Sequence, residues 1–168
     1  MTEPADDRYY ALGQVVEMAA IMEISLRMAF CALAGTRYAA VIAREQETHW
    51  LIENSDAIVR HHDDLSEEQR EAIRSGLRAC QAANRDRNRL VHEAWGKEPG
   101  RAPTSIQSER ESYRIVGRTW SAGEIRAVAD AILKAQRALL TAIEDSLGPG
   151  SLKTAEQLLA EDTDEHHA

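Results

Sequence analysis

The sequence predicts an all-α protein, an up-and-down bundle of four long helices with a small β-hairpin before the last of them. Of its 168 residues, 43% are hydrophobic but only 5% aromatic. The hydrophobic residues are mainly alanine, leucine, isoleucine and valine, and this composition favours closely packed helices over a sheet. Apolar residues also recur at alternating steps of three and four, which is the spacing of one buried helix face. A chain of this length can bury a sizeable core as a single domain.

The first helix is predicted over residues 9–34, where apolar residues recur at helical spacing until Gly35 ends the pattern. The predicted stripe consists of Leu12, Val15, Ala19, Met22, Leu26, Ala29 and Leu33. Glu17, Glu23 and Arg27 lie in the most hydrophobic part of this segment. Because the centre of a bilayer penalises charged side chains, we expect no membrane span here.

The second helix is predicted over residues 36–60, with Ile42, His49, Ile52 and Val59 on one stripe. On that stripe, His49 is interpreted as a hydrogen-bonded core or interface histidine, not as a ligand.

A polar run, residues 61–64, follows the second helix with the sequence His-His-Asp-Asp. These side chains are potential metal ligands, but adjacent residues rarely all point at one ion, so a solvated turn is the favoured interpretation. We expect neither a metal site nor a cofactor in this chain.

Two capping boxes mark the remaining long helices. Ser66 and Gln69 predict a helix start near Glu67, and Ser121 and Glu124 predict another that runs to about residue 147. Their apolar stripes are Ile73, Leu77 and Cys80 in the third helix, and Ile125, Val128, Ile132, Leu139 and Ile143 in the fourth.

Between these helices, the glycines and prolines of residues 96–103 break the helical pattern, and residues 112–118 are predicted as a strand of a small hairpin. We predict that residues 1–150 form the bundle and that 151–168 form a short helix followed by an acidic, partly disordered tail.

Charge and cysteine content narrow the class of protein further. The net charge of −8 argues against a nucleic-acid binder with a broad basic surface, although a local basic pocket stays open. Cys31 and Cys80 lie in helical patterns and are interpreted as small apolar fillers. The polar, acidic start of the chain does not match a secretory signal peptide, and we expect a cytoplasmic location.

The most informative segment is Arg87-Asn88-Arg89-Leu90-Val91-His92, near the end of the third predicted helix. Arginine can bind a phosphate through two parallel hydrogen bonds, and histidine can give or take a proton near neutral pH. Asn88 lies four residues before His92, so its amide could orient the imidazole or a phosphate oxygen. Arg87, His92 and Asn88 are therefore the candidate catalytic residues for RNA cleavage without a metal.

Helix geometry complicates this site. Five residues of regular helix turn by about 140° and rise by about 7.5 Å, so Arg87 and His92 do not share a face. A distorted helix end, or a twofold dimer in which each protomer supplies both residues to one cleft, would remove the difficulty.

The segment Arg-Asn-Arg-Leu-Val-His-Glu-Ala-Trp, residues 87–95, resembles the motif of the HEPN superfamily, an arginine followed after four to six residues by a histidine. The resemblance implies a helical homodimer with the motif at its interface, acting on RNA as a metal-independent endoribonuclease in toxin–antitoxin systems or antiviral defence. It also implies an antitoxin or a nucleotidyltransferase as a candidate partner. Family members controlled by a nucleotidyltransferase carry a tyrosine shortly after the histidine, where this chain has Glu93, Ala94 and Trp95.

Two alternatives stay open. Some members of that family are non-catalytic, so the chain could be a helical dimer that binds RNA, a nucleotide or a protein partner. A purely structural interpretation of the motif is that Arg87 pairs with a carboxylate, such as Glu23, across the bundle while His92 caps the end of its helix.

Overall fold

In a computed structural model the chain is mostly helical, and the structure describes residues 5–36, 38–92, 94–96, 104–109, 114–153 and 157. The helices are α1 (Ala5–Ala34), α2 (Tyr38–Ala43), α3 (Thr48–Arg60), α4 (Glu67–His92) and α5 (Ala122–Leu147). In the described part of the chain, no helix has the length and apolar character that crossing a membrane requires.

Four helices, α1, α3, α4 and α5, pack around one apolar core, and α2 packs against α1. The predicted stripes of the first, third and fourth helices are confirmed as buried except for Leu12, which is only partly buried. Val15, Leu26, Ile73, Ile125 and Leu139 are fully inside. Helices α4 and α5 run antiparallel: residues early in α4 contact residues late in α5.

The closest approach between α4 and α5 occurs at a glycine. A Cβ atom added to Gly76 would lie 2.8 Å from the Cα of Leu139, well inside van der Waals contact. Any larger side chain at position 76 would therefore push the two helices apart.

The predicted second helix is wrong as one continuous element. It is divided into α2 and α3 by residues 44–47, whose sequence Arg-Glu-Gln-Glu offers nothing apolar to bury. In one unbroken helix, the buried alanines of α2 and the buried residues of α3 would point on the order of 120° apart, so the break lets both sets face the core. The bundle therefore has three long helices and a fourth of 13 residues.

The two capping boxes are confirmed. In the first, Gln69 N donates to Ser66 Oγ at 3.2 Å while Ser66 N donates to Gln69 Oε1 at 2.8 Å. In the second, Ser121 and Glu124 exchange the same pair of bonds at 3.1 and 2.8 Å. Gly35 ends α1 at a φ of +59°, a conformation that glycine adopts without strain.

Between α4 and α5 the backbone forms a three-stranded antiparallel sheet in the order β1 (Ala94–Gly96), β2 (Thr104–Glu109), β3 (Arg114–Thr119). In its register, Gly96 is opposite Thr104, which is in turn opposite Thr119. The sheet has one strand more than the predicted hairpin and begins two residues after His92. Of the predicted tail, only residues 151–153 and 157 lie among the described residues.

One buried polar contact joins α1 to α5. Ser25 Oγ donates to the carbonyl of Ile21 at 2.9 Å and accepts a hydrogen bond from Gln136 Nε2, also at 2.9 Å. Both side chains are buried in the apolar interface between the two helices.

Candidate functional site

A cavity of about 450 Å³ opens where α1, α3 and α4 meet. Helix α4 contributes Asn84, Arg87 and Asn88, which share one face because they are spaced by three and four residues. The other walls come from α1, from the segment between α2 and α3, and from the first turn of α3; their lining residues are Glu23, Arg27, Glu45, Gln46, Glu47, Thr48 and His49. Two of the three predicted catalytic residues therefore lie in one cavity.

The guanidinium of Arg87 is half-buried in this cavity and is held from one side. Its Nη1 donates to Asn88 Oδ1 at 2.9 Å, while its buried Nε has no hydrogen-bond partner among the described residues. The bond uses the amide oxygen of Asn88 and leaves its amide nitrogen for another acceptor. Arg87 lines the cavity, so an anion there would meet its terminal guanidinium nitrogens and not the buried Nε.

The predicted ion pair between Arg87 and Glu23 is wrong. Glu23 Oε1 lies 2.5 Å from Nη2 of Arg27, one turn away on the same helix. Across residues 5–36 and 38–91, no carboxylate pairs with Arg87. Glu23 lines the same cavity as Arg87, but it pairs with Arg27, which lies four residues further along the same helix.

His92 is the last residue of α4. The helix is regular to this point, so the rotation of about 140° between positions 87 and 92 holds and a distorted helix end does not remove it. The side chain of His92, including its predicted role as a helix cap, lies outside the described part of the chain.

His49 is not the core histidine that the sequence offers as one possibility, and its placement at an interface stays a prediction. It is the second residue of α3, its side chain is 63% exposed, and it lines the cavity with Arg87. Its Nε2 lies 3.2 Å from Oε1 of Glu53, one turn further along. The prediction fails because it assumed one continuous helix through residues 44–47; a start of α3 at Thr48 places His49 in an open first turn.

Helix α4 is basic, but the cavity is not. Residues 72–92 contain five arginines and a single acidic residue, Asp86, although the whole chain carries a net charge of −8. Two of these arginines, Arg85 and Arg89, are exposed. The lining of the cavity itself holds three glutamates against two arginines, Arg27 and Arg87. Arg27 Nε donates to the carbonyl of Ala43 at 3.3 Å, which fixes the end of α2 beside the cavity. Attraction of a phosphate to this cavity would therefore depend on the arginines of its lining and not on an excess of cations.

A second groove, about 350 Å³ in volume, lies between α3 and α4. Its arginines are engaged by acids: Arg74 Nε donates to Asp56 Oδ1 at 2.8 Å, Arg60 pairs with the same carboxylate, and Arg78 pairs with Glu71. Burial alone would raise the pKa of Asp56, but the hydrogen bonds from Arg74 and Arg60 outweigh it and hold that pKa below its ordinary value. The groove therefore contains a network of ion pairs that joins α3 to α4.

No group of three or more histidine, cysteine or acidic side chains in the described ranges is arranged to hold a metal ion, residues 61–64 included. The cysteines are free and buried; burial raises the pKa of Cys31 to about 11 and that of Cys80 to about 12. A thiol with such a pKa is a poor nucleophile near neutral pH.

Comparison with known proteins gives no relative: no family model, no curated protein and no solved structure matches the chain.

Proposed function

We propose that this protein is a metal-independent endoribonuclease of the HEPN type, active as a homodimer in a toxin or antiviral-defence system. The observation that carries the proposal is the half-buried Arg87, which lies beside Asn88 in an open cavity without a carboxylate partner in residues 5–36 and 38–91. A structural arginine at this depth would be expected to pair with an acid.

In the proposed reaction, the ribose 2′-hydroxyl attacks the adjacent phosphorus and the product is a 2′,3′-cyclic phosphate. Arg87 stabilises the charge that builds on the phosphoryl oxygens, because a fixed guanidinium in a partly buried site is already oriented toward it. The free amide nitrogen of Asn88 donates to a phosphate oxygen, and His92 transfers a proton.

A homodimer is supported by the distribution of exposed apolar side chains. The large exposed hydrophobics of the described residues all belong to α1 and α2: Tyr9, Tyr10, Val16, Ile21, Ile24, Tyr38, Val41 and Ile42. Helix α1 is thus apolar on its outer face as well as on its core face, which is the pattern of a helix covered on both sides. We call this outer surface the α1–α2 face.

The α1–α2 face lies next to the candidate cavity. Arg27 of α1 lines that cavity, where it is bound to Glu23 and to the carbonyl of Ala43. A dimer through the α1–α2 face would therefore bring the edge of the site close to the interface.

RNA cleavage tests the function directly. Purified protein in chelator should cleave an RNA pool and leave cyclic-phosphate ends, while Arg87→Ala and His92→Ala should lose about 10²-fold or more in rate. Arg89→Ala is the matched control, because Arg89 is an exposed arginine of the same helix and lies 3.9 Å from Asp86. An inert wild type, or variants that cleave as fast as wild type, would overturn the proposal.

The dimer has its own test in light scattering after size exclusion. Wild type should have a mass near twice the 18.7 kDa of one chain, and Ile24→Asp should reduce it to the monomer value. Ala131→Asp adds the same charge to the exposed face of α5 and should leave the dimer intact. A monomeric wild type, or an Ile24→Asp protein that stays dimeric, would contradict the proposed surface.

A second candidate function is a non-catalytic helical dimer that binds RNA, a nucleotide or a protein partner. The three glutamates that line the cavity, Glu23, Glu45 and Glu47, favour the protein-partner form of this function, because carboxylates near the site would repel RNA or a nucleotide. In that case, ligand binding would depend on Arg87 while no RNA would be cleaved.

A further inference from the structure

Cleavage of RNA through the 2′-hydroxyl requires two proton transfers. One group must remove the proton of the 2′-hydroxyl, and another must protonate the departing 5′-oxygen. The motif in α4 supplies a single histidine, His92. We propose that His49 is the second group, the general base, a step that rests on the nuclease function proposed above.

His49 has the position that this role requires. It lines the same cavity as Arg87 and Asn88 but comes from the first turn of α3, so the base and the phosphate-binding residues belong to different helices. With 63% of its side chain exposed, the imidazole is accessible to a nucleotide in the cavity. A group that accepts a substrate proton must be reachable in this way.

Glu53 is the acid beside His49. Its Oε1 lies 3.2 Å from Nε2 of His49. In the proposed base, the neutral imidazole carries its proton on Nε2, the nitrogen near this carboxylate, and keeps the lone pair on Nδ1. An imidazole held in that tautomer by a carboxylate is a base at its other nitrogen. Glu53 is therefore a positioning residue.

The proposed step balances as follows. Nδ1 of His49 takes the 2′-hydroxyl proton as the 2′-oxygen forms a bond to phosphorus. The bond from phosphorus to the 5′-oxygen breaks, and its electron pair leaves with that oxygen, which receives a proton from His92. Arg87 stays bound to the non-bridging oxygens throughout. The products are a 2′,3′-cyclic phosphate and a free 5′-hydroxyl.

Two oligonucleotides with one cleavable ribonucleotide separate the base from the acid. The first is unmodified, and the second carries sulfur in place of the bridging 5′-oxygen, because a thiolate leaves without being protonated. On the unmodified substrate, His49→Ala and His92→Ala should each lose about 10²-fold or more. On the sulfur substrate, His92→Ala should regain most of its rate, whereas His49→Ala should stay slow.

The matched control is His61→Ala, which removes another exposed histidine of the same region, at the C-cap of α3 and away from the cavity-lining residues. It should cleave both substrates at the wild-type rate. Circular dichroism and the mass in solution confirm that each variant is folded and assembled like wild type.

Each result has one meaning. If wild type cleaves neither substrate, the nuclease function itself fails, and this assignment fails with it. If wild type cleaves and His49→Ala is equally fast, only the assignment of His49 is overturned. Recovery of the His49→Ala rate on the sulfur substrate would also overturn the assignment, because that recovery is expected when a general acid, not a general base, has been removed.

Glu53 variants test the positioning role. Glu53→Gln keeps an oxygen that accepts from Nε2 and should retain most of the rate, whereas Glu53→Ala should lower kcat more than it raises KM. Equal rates for the two Glu53 variants would refute the positioning role.

Discussion

Replacing Gly76 by alanine should destabilise the bundle, although alanine is the better helix former. The new Cβ would lie 2.8 Å from Leu139 Cα and 3.2 Å from Leu139 Cβ. Carbon atoms prefer separations of about 3.5–4.0 Å, so α4 and α5 would have to move apart by roughly 0.7–1.2 Å. Because the nearest atom is backbone, no side-chain rotation relieves the clash.

The net effect follows from two opposing terms. Overpacking of a tight core contact costs up to about 3 kcal/mol, and the gain in helix propensity returns about 1 kcal/mol. The free energy of unfolding should therefore fall by about 2 kcal/mol, which corresponds to a drop in Tm of roughly 4–8 °C for a chain of this size.

Urea denaturation followed by circular dichroism measures this change, at one fixed protein concentration because a dimer's stability depends on concentration. Gly123→Ala is the matched control, since the nearest atom to a Cβ at that exposed position is 3.9 Å away, and it should leave stability unchanged or slightly raised. A Gly76→Ala protein as stable as wild type would refute the close packing of α4 against α5.

Three further predictions concern other parts of the bundle. The ion pair of Asp56 with Arg74 should stabilise the fold relative to Asp56→Asn fully above the ordinary carboxyl pKa of 3.8, and less at lower pH, because Arg74 favours the ionised carboxylate in the folded state. If thermal melts show the same difference in Tm between the two proteins at every pH, this prediction is wrong. Cys31 and Cys80, with thiol pKa values of about 11 and 12, should react with a disulfide reagent at pH 8 only after unfolding; rapid labelling of the native protein would show that they are accessible. Ser121→Ala should lower the free energy of unfolding by about 1 kcal/mol through loss of the cap of α5, and an unchanged urea midpoint would argue against the capping box.

The features that were predictable from the sequence are local ones. A capping box such as Ser66 with Gln69 needs only residues within one turn, so its sequence pattern and its geometry coincide. The core stripe of α1 was likewise visible, because its period is a property of one helix. Arg87 and Asn88 were singled out by their chemistry and order alone; both line one cavity, and their catalytic role stays a prediction.

The features that the sequence left hidden depend on several elements together. Residues 44–47 are polar but contain no glycine or proline, so the break before α3 has no local signal. Its true cause is the mismatch between the core faces of α2 and α3, which only packing reveals. The misassignment of His49 followed from that break, and the cavity itself exists only because α1, α3 and α4 converge.

The hydrogen bond between Gln136 and Ser25 has a consequence for how the bundle assembles. Apolar stripes rich in alanine and leucine can slide past each other with little change in buried area, since one turn of displacement, about 5.4 Å, replaces each residue by a similar one. A shift of α5 by one turn would bring Ile132 or Leu140 opposite Ser25 and leave the amide of Gln136 buried without this bond. An unsatisfied buried amide costs about 1–3 kcal/mol, so this single polar pair selects one alignment of α1 and α5.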